Sequence, residues 1–287
     1  MTWRLIARRS FVMIKSVAIV GAGVSGLTCA VVSAERGYRT AIFAKETGQQ
    51  TTSGAAAALW FPYDAEPADK VIAWGLETYN VLVDLSRDSG AGVSVIELRQ
   101  FSRTADVSVP DWASSLGARR LRRDELLPAF ASGFALNVPV MDTTIYLDYL
   151  AERLLKAGGE INANVRFEKL EDVSREFDFV INCAGIGARE LVQDVDLEPH
   201  RGQVAIVPKI DNLTCAIVSD DAPLMYAIPR TNDCVFGGTN EISDNLEVNP
   251  AATLTMVGEC TRVLIMETPR VLTDPTRSPA GWPHRHS

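Results

Sequence analysis

A glycine turn between two apolar runs constrains this chain more than any other feature. Val17-Ala18-Ile19-Val20 leads into Gly21-Ala22-Gly23-Val24-Ser25-Gly26. A helical stretch follows, and a second apolar run, Thr40-Ala41-Ile42-Phe43, ends at Lys45 and Glu46. The order is strand, glycine turn, helix, strand, polar end, which is the opening of a dinucleotide-binding unit. Gly21 permits the tight turn off the first strand. Gly23 leaves the backbone bare for a pyrophosphate, and Gly26 lets the helix pack closely on the strand. The turn from Gly21 to Gly26, with Ala22, Val24 and Ser25, then offers free N–H groups and the positive end of a helix dipole to phosphate. Glu46 stands about twenty residues past the last glycine, where an acid meets a ribose hydroxyl. Lys45 beside it is an equal candidate for that contact.

The rest of the composition narrows the partners. The chain has 287 residues, room for one large or two ordinary domains. A net charge of −8 argues against nucleic acid and anionic membrane. No apolar run approaches the roughly 18 residues that span a bilayer. Five scattered cysteines (Cys29, Cys183, Cys215, Cys234, Cys260) form no CxxC pair. They read as reduced, mostly buried thiols in a cytoplasm, with no metal site. Residues 1–13 carry Arg4, Arg8 and Arg9 without the apolar core of a secretion signal. Met13 is the expected natural start, preceded by a disordered extension.

Two stretches read as halves of one nucleotide domain, 14–65 and 138–196. The second holds a helix from Asp142 to Ala157, with Asp142 as N-cap and Gly158-Gly159 as its stop. Phe179-Val180-Ile181-Asn182-Cys183 then reads as a buried strand entering a glycine turn, and Val165 before it is placed to meet an adenine. The inserted material, 66–137 and 197–270, begins with an amphipathic helix over Ala68–Ser89 carrying Val71, Ile72, Trp74, Leu76, Tyr79, Leu82 and Leu85. Runs such as Val93–Leu98, Gly202–Val207, Cys215–Val218, Met225–Ile228 and Cys234–Phe236 predict a mainly antiparallel sheet. Pro250–Met266 predicts a last helix. The fold class is therefore mixed α/β and α+β, a Rossmann-like domain with an inserted sheet.

The loop after the second strand reads Thr51-Thr52-Ser53-Gly54-Ala55-Ala56-Ala57-Ala58-Leu59-Trp60-Phe61-Pro62-Tyr63. Its hydroxyls can donate to phosphate or to a ring oxygen, and its small residues leave backbone exposed to a flat ring; an alanine-rich buried turn reads equally well from these residues alone. Together with Tyr146–Leu150, FVINCAGIG at 179–187, Arg201-Gly202-Gln203, MYAIPR at 225–230 and Gly237-Gly238-Thr239, these stretches resemble the D-amino-acid oxidase family of flavoenzymes in its microbial branch. They occur in family order over about residues 14–272.

The resemblance implies FAD, a two-domain fold and the flavin ring at the domain interface. It assigns Gly21, Gly23, Gly26, Lys45 and Glu46 to the ADP half, Thr51, Thr52, Ser53, Ala57 and Leu59 to the flavin, and Val165 to the adenine. It implies oxidation of a D-amino acid. Hydride passes from the α-carbon of the neutral amine to flavin N5, O2 reoxidises the flavin to give hydrogen peroxide, and the imine hydrolyses to an oxo acid and ammonia. The protein supplies orientation and electrostatics, so no general base is required. Tyr226 matches a family tyrosine that orients the substrate. Arg230, after Pro229, reads as structural and not as the carboxylate clamp, while Trp60 and Tyr63 are open between pocket and packing. A glycine or D-aspartate oxidase is the nearest alternative, although no second cationic group for an aspartate side chain stands out. A non-catalytic nucleotide-binding remnant is the alternative of a different class. A nicotinamide dehydrogenase fits the loop less well. A homodimer is compatible with the resemblance.

The pattern departs from the family after Thr273-Asp274. The family's Gly-Leu-Arg-Pro segment, which carries the carboxylate arginine, and a later His-Gly-Gly region are replaced by an irregular stretch over 271–287. Arg277-Ser278-Pro279-Ala280-Gly281 can be encoded by letters that read Gly-Leu-Arg-Pro when shifted by one nucleotide. The expectation is a C-terminally truncated member with a tail read in the wrong frame, weak flavin retention and an exposed sheet edge in its nucleotide domain.

Overall fold

A computed structural model describes residues 15–62, 67–105, 108–173 and 176–267. The expected N-terminal extension, Tyr63 and the tail over 271–287 lie outside the described residues. In chain order the strands are β1 (Ser16–Ala22), β2 (Arg39–Thr47), β3 (Val93–Ser102), β4 (Arg119–Arg120), β5 (Ser132–Met141), β6 (Glu160–Ala163) and β7 (Phe179–Asn182). They continue with β8 (His200–Arg201), β9 (Val204–Pro208), β10 (Cys215–Ser219), β11 (Met225–Pro229), β12 (Asp233–Gly237) and β13 (Glu241–Ile242). The helices are α1 (Val24–Glu35), α2 (Thr52–Ala55), α3 (Ala68–Leu85), α4 (Asp111–Ser115), α5 (Thr143–Lys156), α6 (Ala188–Leu191) and α7 (Pro250–Glu267). Two compact units emerge. One comprises residues up to Ala58, Asp88–Val93 and Met141–Pro199, the other Leu59–Arg87, Ser94–Val140 and His200 onward.

The first unit is built on a parallel sheet in the order β6-β2-β1-β7. β1 is interior and covered on both faces, which is why its sequence is a continuous apolar run and not an alternation. Ala18 and Val20 face a cluster with Val173, Leu191, Phe43 and Phe167, and Phe43 meets Phe167 and Phe177 edge-on at 5.6 and 5.7 Å. The α1 crossover joins β1 to β2, and Arg153 of α5 holds Glu35 of α1 through two bonds of 2.6 and 2.9 Å. Asp142 caps α5 as the sequence predicts, accepting from the Thr144 amide at 3.1 Å. The reading of 179–183 as a buried strand needs correction. β7 is outermost among the described strands, so only its β1 side is paired and Phe179 is 49% exposed.

The second unit carries a seven-stranded sheet, β4-β5-β3-β10-β11-β12-β9. Its pairs β4/β5, β10/β11, β11/β12 and β12/β9 are antiparallel, and β3/β10 is parallel, so the sheet is mixed. α7 lays Cys260 and Val263 into a core with Phe101, Ile217, Met225, Ala227 and Phe236. Asn249 starts α7 by accepting from the Ala251 and Ala252 amides at 3.0 and 3.2 Å. Helix α3 buries less than its pattern predicts. Only Leu82 is fully covered, while Trp74 and Val81 stand 57% and 65% exposed, because they project from the face opposite the Ile72-Tyr79-Leu82 stripe.

Candidate functional site

The turn after β1 forms because its glycines occupy places where a side chain has no room. Gly21 has φ +109°, and a Cβ there would stand 2.2 Å from the Cys183 carbonyl oxygen. A Cβ on Gly26 would stand 1.9 Å from the Gly21 carbonyl oxygen. The two glycines therefore let the end of β1, the end of β7 and the first turn of α1 converge. Gly23 is the N-cap of α1 and supplies no side chain to it, and the first turn holds no acid. The Leu27 amide returns to the Gly23 carbonyl at 2.9 Å. Val24 and Ser25 are exposed at the helix start, while Ala22 is buried beneath. The positive end of the helix dipole and the Ser25 amide meet no acid in this first turn.

The loop after β2 closes on this turn. Ser53 Oγ accepts from the Val24 amide at 2.9 Å, and a Cβ on Gly23 would come 3.0 Å from that oxygen. Thr51 is the N-cap of α2. Its hydroxyl donates to the Gly48 carbonyl at 2.7 Å and accepts weakly from the Gly54 amide at 3.3 Å. With that proton engaged inside the loop, Thr51 shapes the start of α2 in this structure. Thr52 is exposed on the same turn. The loop is laced to α5: Gln49 Nε2 donates to the Thr143 carbonyl at 2.9 Å, and Thr143 Oγ1 donates to the Gly54 carbonyl at 3.0 Å. Ala57 is buried and Ala58 takes a left-handed φ of +53°. Leu59, half-buried, bridges Val140 in the second unit.

At the far end of β2, Lys45 Nζ and Glu46 Oε1 pair with each other at 3.0 Å. With Gln50 and Asn164 they line a cavity of about 490 Å³. Val165 follows Asn164 and ties its amide to the Ala44 carbonyl at 3.0 Å. The sequence did not single out Gln50 or Asn164. The left-handed φ of +59° at Asn164 is the kind of position asparagine tolerates, and is the one signal that marked it. Cys183, beside the turn, has its thiol pushed up to about 12, by burial first and by the neighbouring Cys29 thiol second, so it is an inert thiol and not a nucleophile.

In the second unit Tyr226 lies on β11 directly opposite Gly237 of β12. Burial raises its phenol above the ordinary value, with the Cys260 thiol a smaller contributor. Cys260 Sγ donates to the Tyr226 carbonyl at 3.3 Å, and the phenol oxygen makes no hydrogen bond among the described residues. Arg230 is buried and bound bidentately to Asp233 at 2.7 and 2.8 Å, which is a structural placement. Arg201 is also engaged, by Gln203 Oε1 at 3.0 Å, by the Glu247 carbonyl and by Glu241 at 3.5 Å. Gln203 in turn donates to the Asn249 carbonyl and Thr253 hydroxyl at 3.0 and 2.6 Å, so the Arg-Gly-Gln run nails β9 to the start of α7. Trp60 is packing: its indole donates to the Gly75 carbonyl at 2.9 Å and its ring meets Tyr79 and Trp112 edge-on. Among the described residues no cluster of His, Cys, Asp and Glu could hold a metal ion, and no helix is long and apolar enough to cross a membrane.

A glycine cradle under a helix start that holds no acid, next to an acid-bearing strand end, defines a dinucleotide-binding unit of Rossmann type, and its bare backbone fits a diphosphate. The chain belongs to the FAD dependent oxidoreductase family, whose pattern matches residues 16–285. Its cofactor is accordingly FAD. It is 36% identical over 246 residues to a D-amino-acid oxidase of Rubrobacter xylanophilus, covering 84% of this chain and 75% of that one. It is 35% identical over 248 residues to a D-amino-acid oxidase of Streptomyces coelicolor, covering 85% and 76%. Among solved structures it resembles glycine oxidase from Geobacillus kaustophilus with a TM-score of 0.68 at 19% identity, over 88% of this chain and 79% of that one. That likeness concerns the fold.

Proposed function

We propose that this chain oxidatively deaminates D-amino acids, passing electrons to O2. The reading rests on family membership, on relatives that carry that activity in their names, and on the glycine cradle at the start of α1. Bound FAD supplies the hydride acceptor and its return to the oxidised state by O2. The chain's own residues then have defined tasks. The Ser25 amide, with the Ser53 and Thr52 hydroxyls, holds the diphosphate. Lys45 and Glu46, paired with each other across the cavity rim, hold the ribose, with Val165 against the adenine. Ala57 and Leu59 line the flavin.

Tyr226 orients the substrate. Its side chain is half-buried while its hydroxyl is unclaimed by the described residues, which supports a hydrogen bond to a substrate carboxylate. Arg201 and Arg230 are held by protein groups and are not that carboxylate's partner. The five free thiols, three of them buried, support a reducing cytoplasmic setting. A homodimer is the assembly to test by light scattering.

The deciding experiment mixes purified protein with FAD, then follows flavin absorbance and peroxide release with D-alanine and L-alanine. Peroxide from the D-isomer alone is the expected result. Flavin bound tightly with no turnover of any amino acid would overturn the oxidase reading in favour of a nucleotide-binding remnant.

A further inference from the structure

We propose that Gly237 is a positioning residue that sets the place of the Tyr226 hydroxyl, and through it the affinity for the substrate carboxylate. The proposal rests on the substrate role given to Tyr226 above. In an antiparallel pair, residues directly opposite project from the same face with their Cβ atoms about 5 Å apart. Tyr226 and Gly237 are such a pair. A Cβ on Gly237 would stand 1.8 Å from Tyr226 Cζ and 2.2 Å from both Cε2 and Oη. The far end of the phenol therefore occupies the room that a side chain at 237 would take. The ring is laid across β12 instead of standing off the sheet.

Three observations make this a functional arrangement. First, the atoms nearest that Cβ all belong to the tyrosine ring, not to backbone. An alanine at 237 has one cheap remedy, which is to push the ring aside. Second, the hydroxyl has no partner among the described residues to hold it where it is, so the missing Cβ is what permits its position. Third, β12 is paired along its length to β11 on one edge and to β9 on the other, so it is held in register and cannot retreat from β11 to make room.

The test compares Gly237→Ala, Tyr226→Phe and the double variant with the wild-type holoenzyme. Gly237→Ala is expected to keep its flavin content and urea midpoint, to raise KM for D-alanine and the dissociation constant of propionate about tenfold, and to make Tyr226 more reactive to tetranitromethane. In the Tyr226→Phe background the same substitution is expected to add nothing to KM, because the hydroxyl it misplaces is already gone. A Gly237→Ala protein with a lowered midpoint but unchanged KM, propionate affinity and Tyr226 nitration would overturn the proposal and leave the glycine a packing residue. Unchanged KM and propionate affinity in Tyr226→Phe alone would instead overturn the substrate role of the tyrosine. The nitration and midpoint arms read the ring position whether or not the enzyme turns over.

Discussion

Ser53 Oγ accepts a hydrogen bond from the Val24 amide at 2.9 Å, joining the loop after β2 to the first turn of α1. This oxygen accepts from that amide and keeps its own proton to donate, which on the proposed reading goes to a phosphate oxygen. On that reading Ser53→Ala removes a helix-start acceptor and a phosphate donor together. It is expected to weaken FAD binding about tenfold, with about 1 kcal/mol of stability lost. Titration of apoprotein with FAD, followed by flavin fluorescence, checks it.

Gly26 is the least replaceable residue of the cradle. Its added Cβ would meet the Gly21 carbonyl oxygen at 1.9 Å, and the obstacle is backbone that cannot swing away. Gly26→Ala is expected to cost about 3 kcal/mol and to yield colourless protein. Urea denaturation and visible absorbance measure both effects. An alanine variant that stays yellow with a wild-type midpoint would contradict this packing.

Ala58 offers the opposite case. It holds φ +53°, a region that costs a non-glycine residue about 1–2 kcal/mol. Its amide neighbourhood is otherwise ordered, with the carbonyl accepting from the Met141 amide at 2.9 Å. Ala58→Gly is expected to stabilise the protein by about 1 kcal/mol, less the entropy that glycine adds to the unfolded chain. A rise in the urea midpoint with unchanged slope is the readout.

Asp178 gives the acid dependence. Its carboxylate accepts from the Ser16 amide and hydroxyl at 2.8 and 2.9 Å, bracing β7 to β1. The Ser16 amide bond, first among the causes, holds the carboxyl below its usual range. A depressed folded value means that the brace stabilises fully above the ordinary carboxylate value of about 3.9 and is lost as pH falls through the lower folded value. Wild type is expected to exceed Asp178→Ala in urea midpoint at neutral pH, and the two curves to converge in acid. A gap that stays constant as the pH is taken below the ordinary carboxylate range would show that the carboxylate's charge is not what matters.

Much of the nucleotide unit was legible because its cause is local. The apolar run Val17–Val20, the glycines at 21, 23 and 26 and the cap at Asp142 each act within a few residues of where they stand. The strand runs of the second unit were also readable, since alternation and β-branching act along the chain. What escaped the sequence was decided by distant partners. Phe179 looked buried, yet its strand is outermost. Arg201 and Gln203 carried a resemblance and no contact, and only the fold shows them clamped to Asn249, Thr253 and Glu247. The parallel β3/β10 junction has no sequence mark at all, because strand direction is set by the connection and not by residue type.

The lacing of the loop after β2 to α5 spans 94 residues from Gln49 to Thr143 and 89 from Gly54 to Thr143. Chains emerge from the ribosome N-terminus first. A growing polypeptide can thus shape its phosphate turn early, but must thread out every inserted strand up to Thr143 before the neighbouring loop is pinned. A nascent fragment halted short of that threonine is left with a half-built berth.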